Sequence, residues 1–150
     1  MTGQQRWFFI LGGAALFASD RFLKMFFLQF TGLWMVADPW FFFSLLKNRG
    51  LAFGIPADPL WVIVPTALVL VVLLWQLLKY FRLGRDRVWL GLFFLFLGAV
   101  SNFFDRVVYG FVIDYVHVGW YPVFNLADAM IVAGIIGLIW LDRREKRSGN

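Results

Sequence analysis

The chain has 150 residues, of which 61% are hydrophobic and only 15% are charged. This balance excludes an ordinary soluble globular protein, in which about 25% of residues are charged. The absence of cysteine excludes a disulfide framework, a thiol nucleophile and a thiolate metal site. The formal net charge is +5, but the basic residues lie in short tracts beside apolar segments, so we expect a membrane protein without a nucleic-acid partner.

Four apolar segments approach the length of about 20 residues that a helix needs to cross a bilayer. They cover residues 7–30, 60–80, 88–108 and 123–141. The sequence therefore predicts a single all-α membrane domain over residues 1–150, built as a bundle of four transmembrane helices.

The first of these segments also has the pattern of a cleavable signal peptide. Residues 7–19 follow Arg6 and end in small residues. The apolar pattern nevertheless continues to Phe30, with Asp20 and Lys24 inside it. We therefore favour a retained first helix over a removed leader.

Basic residues predict the orientation of the helices. One of them, Arg6, precedes the first segment, and the others lie between the second and third segments or after the fourth: Lys79, Arg82, Arg85, Arg87, Arg143, Arg144, Lys146 and Arg147. Since cytoplasmic loops carry the excess of Lys and Arg, both termini are predicted to be cytoplasmic. Residues 142–150 are predicted to form a solvated, disordered basic tail.

Two connections, residues 31–59 and 109–122, then face the outside. The first is too long for a simple turn, and long loops are usually functional. Its apolar stretch 40–46 is followed by polar residues and a glycine at 47–50. We expect this small extracytoplasmic region to lie on the membrane surface as a short hairpin that turns near residues 48–50.

Polar residues recur at the outer ends of the predicted helices. Asn102 and Asp105 are three positions apart and so share one helix face, and Asn125 and Asp128 repeat that spacing. The two pairs should lie close together, because the third helix leaves and the fourth enters on the same side of the membrane. Asp20 and Lys24, four positions apart, would point to that level as well.

Charged residues at one membrane depth need partners or a function, since each costs about 2.5 to 3.5 kcal/mol to insert. Asp20 with Lys24, and Asp105 with Arg106 or Arg21, either form ion pairs that fix helix packing or have a function. No lysine or arginine lies within four positions of Asp114 or Asp128.

Two readings remain open for each of these last two acids. Asp114 is either a solvated loop acid or a functional group, and Asp128 is either a helix N-terminal acid favoured by the helix dipole or a functional group.

Two neighbouring carboxylates support a specific chemistry, because like charges a few ångströms apart share one proton at neutral pH. The ionised member can deprotonate an attacking water, while the protonated member hydrogen-bonds the peptide carbonyl oxygen. Asn102 and Asn125 can hold the carboxylates or the substrate by hydrogen bonds, although buried asparagines also join helices.

Other catalytic centres find little support in the sequence. With one histidine and no cysteine, a zinc site is not expected, and His117 is interpreted as an interfacial loop residue. A serine–lysine dyad would have to combine Ser44 with Lys47 or Ser19 with Lys24, and we set both aside.

Several motifs in succession resemble those of signal peptidase II, a family of bacterial inner-membrane aspartic peptidases. The motifs are Asp20-Arg21-Phe22-Leu23-Lys24, Asn48-Arg49-Gly50-Leu51-Ala52-Phe53, Asn102-Phe103-Phe104-Asp105-Arg106, Val112-Ile113-Asp114-Tyr115 and Phe124-Asn125-Leu126-Ala127-Asp128. The resemblance runs through almost the whole chain. Two positions depart from the family pattern. Arg21 stands where glutamine is common, and Ser101 stands where glycine often precedes the asparagine that is Asn102 here.

The resemblance implies that Asp114 and Asp128 are the catalytic pair. It further implies substrate-binding or site-stabilising roles for Asp20, Lys24, Asn48, Asn102, Asp105, Arg106, Asn125 and Ala127. The implied partners are membrane phospholipids and diacylglyceryl-modified prolipoproteins, cut just before the lipidated cysteine at the outer face of the inner membrane. The family also implies an extracytoplasmic strand cradle, and it implies no cofactor and no metal.

Two rival functions come from other classes. A small proton-coupled transporter or channel also carries intramembrane carboxylates, but it would place them near the midplane of the bilayer. A structural assembly protein is the second rival, and it would tolerate neutralisation of both Asp114 and Asp128.

Overall fold

The computed structural model describes residues 1–30, 32–37, 40–50 and 59–148 of the chain. Four long helices and three strands follow one another in the order α1 (Gly3–Gln29), β1 (Trp34–Ala37), β2 (Phe41–Asn48), α2 (Pro59–Arg82), α3 (Asp86–Tyr109), β3 (Val112–Val118) and α4 (Leu126–Ser148). The motif residues Leu51, Ala52 and Phe53 lie outside the described part. The fold is therefore mostly helical with one small sheet.

The four helices coincide with the four apolar segments, but they differ in how well they suit a bilayer. In the described part, two helices are long and apolar enough to cross a membrane, Leu60–Arg82 and Asp86–Tyr109. The apolar part of α4, Leu126–Trp140, is shorter. Very little of α2 is buried in the protein, and side chains such as Leu68 and Val71 are about two-thirds exposed. Such a large apolar surface needs a cover other than water.

Helix α4 differs from the prediction at both ends. It begins at Leu126 rather than at 123, and it continues to Ser148 through most of the segment predicted to be disordered. Loss of apolar character at 142–148 does not end the helix, because Arg, Lys and Glu are good helix formers and basic residues are favourable near a helix C-terminus. Residues 149–150 of the predicted tail lie outside the described residues.

The sheet has the strand order β1-β2-β3, and both pairings are antiparallel. The hairpin exists, but its predicted turn is wrong: the chain reverses between Ala37 and Phe41, and Asn48 is the last residue of β2. Asn48 instead pairs with Val112 at the start of β3. The second connection, interpreted as a loop, thus supplies a strand that brings Asp114 opposite Leu46.

Glycines allow α3 and α4 to pack closely, in the most extensive helix contact of the described fold. A Cβ added to Gly134 would lie 2.6 Å from the carbonyl oxygen of Gly91. A Cβ added to Gly98 would collide with the carbonyl oxygen of Ala127 and lie 2.8 Å from Ile131 Cγ1. The Gly98 contact holds the first turn of α4 against α3, and the Gly134 contact holds a later turn, as small residues do in membrane bundles.

We expect Gly98→Ala to lower the thermal unfolding midpoint in detergent, because its Cβ meets backbone that cannot move aside without separating α3 from α4. The loss should correspond to about 1 to 3 kcal/mol. Gly137→Ala is the matched control, since nothing lies within 4 Å of its added Cβ. Equal midpoints for the two variants would contradict the close-packing argument.

Candidate active site

Buried polar side chains gather where the helix bundle meets the sheet. Those with little or no exposed surface are Asp20, Lys24, Ser101, Asn102, Asp105, Asp114 and Asn125. They come from α1, α3, β3 and the residue before α4, so four separate parts of the chain build one polar centre. Because buried polar groups are costly without partners, their hydrogen bonds define the site.

Asp128 is positioned by the start of α4. The Asn125 side chain accepts the Asp128 backbone N–H at 2.9 Å, while the Asp128 carboxylate accepts the Asn125 backbone N–H at 3.1 Å. This reciprocal arrangement is a capping box. The two N–H groups between them are bound by Tyr115 Oη and Asp20 Oδ1, at 3.2 and 2.9 Å. The first turn of α4 therefore has a partner for every free N–H, and Asp128 is fixed in place.

Asp114 lies in the middle of β3 and is almost completely buried. Its Oδ2 accepts a hydrogen bond from Asn48 Nδ2 at 2.9 Å, and its Oδ1 accepts one from Asn125 Nδ2 at 2.7 Å. The pKa of Asp114 is raised to about 6. Burial is the main cause and the charge of Asp128 adds to it, while the amide donors of Asn48 and Asn125 and the charge of Lys24 act in the opposite direction.

Asn125 connects the two carboxylates. Its side-chain amide donates to Asp114, and its backbone N–H donates to Asp128. Asn102 completes the connection, since it accepts from Asn125 Nδ2 at 3.1 Å and donates to Asp128 Oδ1 at 2.7 Å. The predicted proximity of the Asn102 and Asn125 pairs is thus observed. Two carboxylates held in one hydrogen-bonded unit can share a proton.

A group of buried ions lies beside this unit, between α1 and α3. Lys24 Nζ contacts Asp105 Oδ2 at 2.8 Å and Asp20 Oδ2 at 3.2 Å, and Arg21 Nη1 contacts Asp105 Oδ1 at 2.5 Å. The ion pairs expected from the sequence therefore form, with Arg21 rather than Arg106 as the arginine partner of Asp105. Lys24 also donates to Asn102 Oδ1 at 2.8 Å, which links this ion cluster to Asp128.

The remaining predicted residues take different positions. Arg106 lines a cleft of about 390 Å³ whose wall also includes Asp114 and Asp128. Asn48 borders the same cleft, whereas Ala127 is fully buried and contributes its backbone N–H to Asp20. The other lining residues are mostly apolar: Thr66, Ala99, Asn102, Val112, Tyr121, Pro122, Val123, Phe124, Ile131 and Val132.

Tyr115 is a residue of the candidate site for which the sequence predicted no role. Its ring stacks on Phe27 with 4.8 Å between centroids, and its hydroxyl accepts the Leu126 N–H. Burial raises the pKa of Tyr115, so the hydroxyl stays neutral near the two carboxylates. The run Val112–Val118 is rich in β-branched residues, and that composition was the available signal that Tyr115 and Asp114 belong to a strand.

His117 lies in β3 rather than in a loop. Its Nε2 is 2.9 Å from Ser44 Oγ, and its ring stacks on Phe42 with 4.3 Å between centroids. Ser44 therefore contacts a histidine and not Lys47, whose ammonium group faces the Phe111 ring. These contacts join β2 to β3 on the sheet.

The family comparison matches the signal peptidase II model to residues 12–142 of this chain. Among curated relatives, the lipoprotein signal peptidase of Pseudomonas aeruginosa strain UCBPP-PA14 is 31% identical, with 98% of this chain and 93% of that protein covered. That of Brevibacillus brevis strain 47 is 33% identical, with 91% and 93% covered.

Solved structures give the same fold. A bacterial membrane enzyme determined by the in meso method at 2.3 Å resolution superposes with a TM-score of 0.81 at 23% identity, covering 95% of this chain and 91% of that chain. A second, at 1.9 Å, gives a TM-score of 0.73 at 24% identity, covering 89% and 90%. At these identities the likeness concerns the fold alone, whereas the sequence matches show the family. The chain belongs to the signal peptidase II family of lipoprotein signal peptidases, which are aspartic peptidases.

Proposed function

We propose that this peptidase removes signal peptides from diacylglyceryl-modified prolipoproteins, cutting just before the lipidated cysteine, with Asp114 and Asp128 as the catalytic pair. The observation that carries the proposal is the connection of both carboxylates through Asn125 inside one cleft. Aspartic peptidases need two carboxyl groups that hold one proton between them.

The two carboxyl groups act as a unit on a water molecule and the scissile peptide. The ionised carboxylate accepts a proton from the attacking water, and the protonated carboxyl donates a hydrogen bond to the carbonyl oxygen as negative charge develops there. The tetrahedral intermediate then collapses, and the departing amine takes up a proton from the pair. Asn48, Asn102 and Asn125 keep both carboxylates oriented through their amide groups without adding charge.

The chemical character of the cleft suits a substrate that is apolar on one side and polar on the other. Ile131 and Val132 of α4 provide apolar lining, while Asn48 of β2 and Arg106 of α3 provide polar groups. In this proposal, a hydrophobic signal peptide lies along the helices with its cleavage site at the carboxylates. We assign Asn48 and Arg106 to substrate contact, and the more deeply buried Asp20, Lys24, Asp105 and Ala127 to stabilisation of the site.

The membrane arrangement follows from the same proposal. All four helices span the bacterial inner membrane, both termini are cytoplasmic and the cleft opens at the outer face. The basic residues Lys79 and Arg82 in the last turn of α2 support this orientation. Exposed apolar side chains along α1 and α2, including Phe8 at 73%, support contact with phospholipids.

Cleavage of a purified prolipoprotein in detergent tests the function directly. We expect a gel shift with the diacylglyceryl-modified precursor and much slower conversion of the same precursor without its lipid. Equal cleavage of both precursors would contradict the proposed substrate class. A folded wild-type protein that cleaves neither, but that carries protons across a liposome membrane, would favour the transporter reading instead.

The pH dependence of cleavage should report the proton shared by the pair. Because the pKa of Asp114 is about 6, raising the pH through this value removes the shared proton and leaves two carboxylates. We therefore expect kcat/KM to fall on the alkaline side with a midpoint near pH 6. Asn48→Ala removes a donor that stabilises the charged form of Asp114, so it should move this limb to higher pH.

The measurement is kcat/KM against pH in one detergent for wild type and for Asn48→Ala. Thermal unfolding establishes first that both proteins are folded. A limb that moves to lower pH in Asn48→Ala would contradict the assignment of the proton to this pair.

A further inference from the structure

The ion cluster beside the carboxylate pair contains Arg21, one of the two positions at which this chain departs from the common pattern. The cluster consists of Asp20, Arg21 and Lys24 of α1 with Ser101 and Asp105 of α3. It contains two carboxylates and two cations and is therefore neutral overall. All members except Arg21 have no exposed surface, so their charges are poorly screened by solvent.

Arg21 is held from two directions. Its Nη1 contacts Asp105 Oδ1 at 2.5 Å, Ser101 Oγ at 3.2 Å and the Ser101 carbonyl oxygen at 3.4 Å. Its guanidinium lies over the ring of Phe104, 4.5 Å from the centroid. This side chain therefore has a defined geometry, and its charge is directed at one oxygen of Asp105.

The other oxygen of Asp105, Oδ2, contacts residues that lead to the carboxylate pair. Asp105 Oδ2 contacts Lys24 Nζ at 2.8 Å and accepts the backbone N–H of Ile113, the residue before Asp114, at 3.3 Å. Lys24 also donates to Asn102, and Asn102 donates to Asp128. Asp105 is thus connected to Asp114 through the Ile113 backbone, and to Asp128 through Lys24 and Asn102.

Ser101 adds a second route to Asp128. Its hydroxyl donates to Asp20 Oδ2 at 2.5 Å, and Asp20 Oδ1 accepts the N–H of Ala127, the neighbour of Asp128. Arg21 and Lys24 both donate to this same hydroxyl oxygen. The two departures, Arg21 and Ser101, therefore contact each other and act on one network.

We propose that Arg21 is a positioning residue for cleavage, which balances Asp105 so that Lys24 stays directed at Asn102 and the carboxylate pair keeps its proton over the correct pH range. This inference rests on the proposed function. Without Arg21 the cluster carries one net negative charge, which draws Lys24 towards Asp105 and raises the proton affinity of the nearby pair. Among the residues that the structure describes, the further ionisable groups near the pair are Arg106 of α3, Tyr115 of β3 and Tyr121, which lines the same cleft.

The test compares kcat, KM and the pH profile of kcat/KM for Arg21→Gln and Arg21→Lys, using lipidated prolipoprotein in detergent. For Arg21→Gln we expect the alkaline limb to move to higher pH by roughly half a unit to one unit. Its kcat should fall on the order of threefold to tenfold with KM unchanged, since Arg21 lies outside the cleft. Arg21→Lys keeps the charge and should keep the wild-type limb.

A double variant, Arg21→Gln with Ser101→Gly, covers the case in which Arg21→Gln alone does not fold, because it places the glutamine and the glycine of the common pattern at both departing positions. It should show the same upward shift of the limb. A folded Arg21→Gln or double variant with the wild-type pH profile would overturn the inference, as would an equal shift in Arg21→Lys. Failure of the proposed function is distinguishable, because the wild-type protein itself would then not cleave.

Discussion

Asp114→Asn and Asp128→Asn are each expected to reduce kcat on the order of 10² to 10⁴-fold while leaving the protein folded. Each change removes one of the two carboxyl groups that must hold and transfer the proton. Asparagine retains an oxygen that can accept from Asn125, so the capping box of α4 is kept in Asp128→Asn. The effect therefore isolates the charge from the helix cap. Single-turnover cleavage of a lipidated prolipoprotein measures it.

Asp86→Asn is the matched control for this experiment. Asp86 lies at the opposite end of α3 from Asn102 and pairs with Arg6, so the same chemical change there should leave cleavage unchanged. Near wild-type cleavage by either folded site variant would remove that aspartate from the mechanism. The thermal unfolding midpoint of each variant establishes that the loss is not a loss of folding.

Lys24→Met should have the largest effect on stability. Lys24 is completely buried, and its ammonium group contacts Asp20, Asp105 and Asn102. Removing it leaves two buried carboxylates with Arg21 as their remaining cation in the cluster. Breaking a buried ion pair in this way costs about 3 to 5 kcal/mol, which should lower the thermal midpoint by roughly 10 °C for a chain of this size.

Lys79→Met provides the comparison for that stability measurement. Lys79 is exposed and lies over the rings of Trp75 and Tyr80, at 5.2 and 5.7 Å from their centroids. Its loss should cost at most about 1 kcal/mol. If Lys24→Met unfolds at the same temperature as Lys79→Met, the ion cluster does not stabilise the fold and the role of Lys24 must be reconsidered.

The two readings of Asp128 turn out not to exclude each other. It is a helix N-terminal acid that completes the capping box, and it also lines the cleft with Asp114. The helix cap explains why the carboxylate is rigid, and rigidity is what an acid–base group needs. Asp114 differs, since its strand position and burial contradict the solvated-loop reading.

Local pattern in the sequence was sufficient to predict four helices, apart from the two ends of α4, and to predict which polar residues make up the candidate site. The length of the apolar segments reveals four helices because each helix carries its own apolar surface in consecutive residues. The spacing of Asn102 with Asp105, and of Asn125 with Asp128, places each pair on one helix face for the same local reason. The motifs around them indicated the family, which the comparisons confirm.

Only the tertiary structure decided how these pieces combine. Strand pairing depends on residues far apart in the chain, so the position of the hairpin turn and the β2–β3 pairing that sets Asn48 near Asp114 could not be read from local pattern. The same holds for ion pairs with several possible partners, since Asp105 takes Arg21 and Lys24 from α1 and not its neighbour Arg106. Sequence determined which polar groups exist and on which helix face they lie. Packing of α1 and α4 against α3 determined which of them meet, because hydrogen bonds and ion pairs act over only a few ångströms.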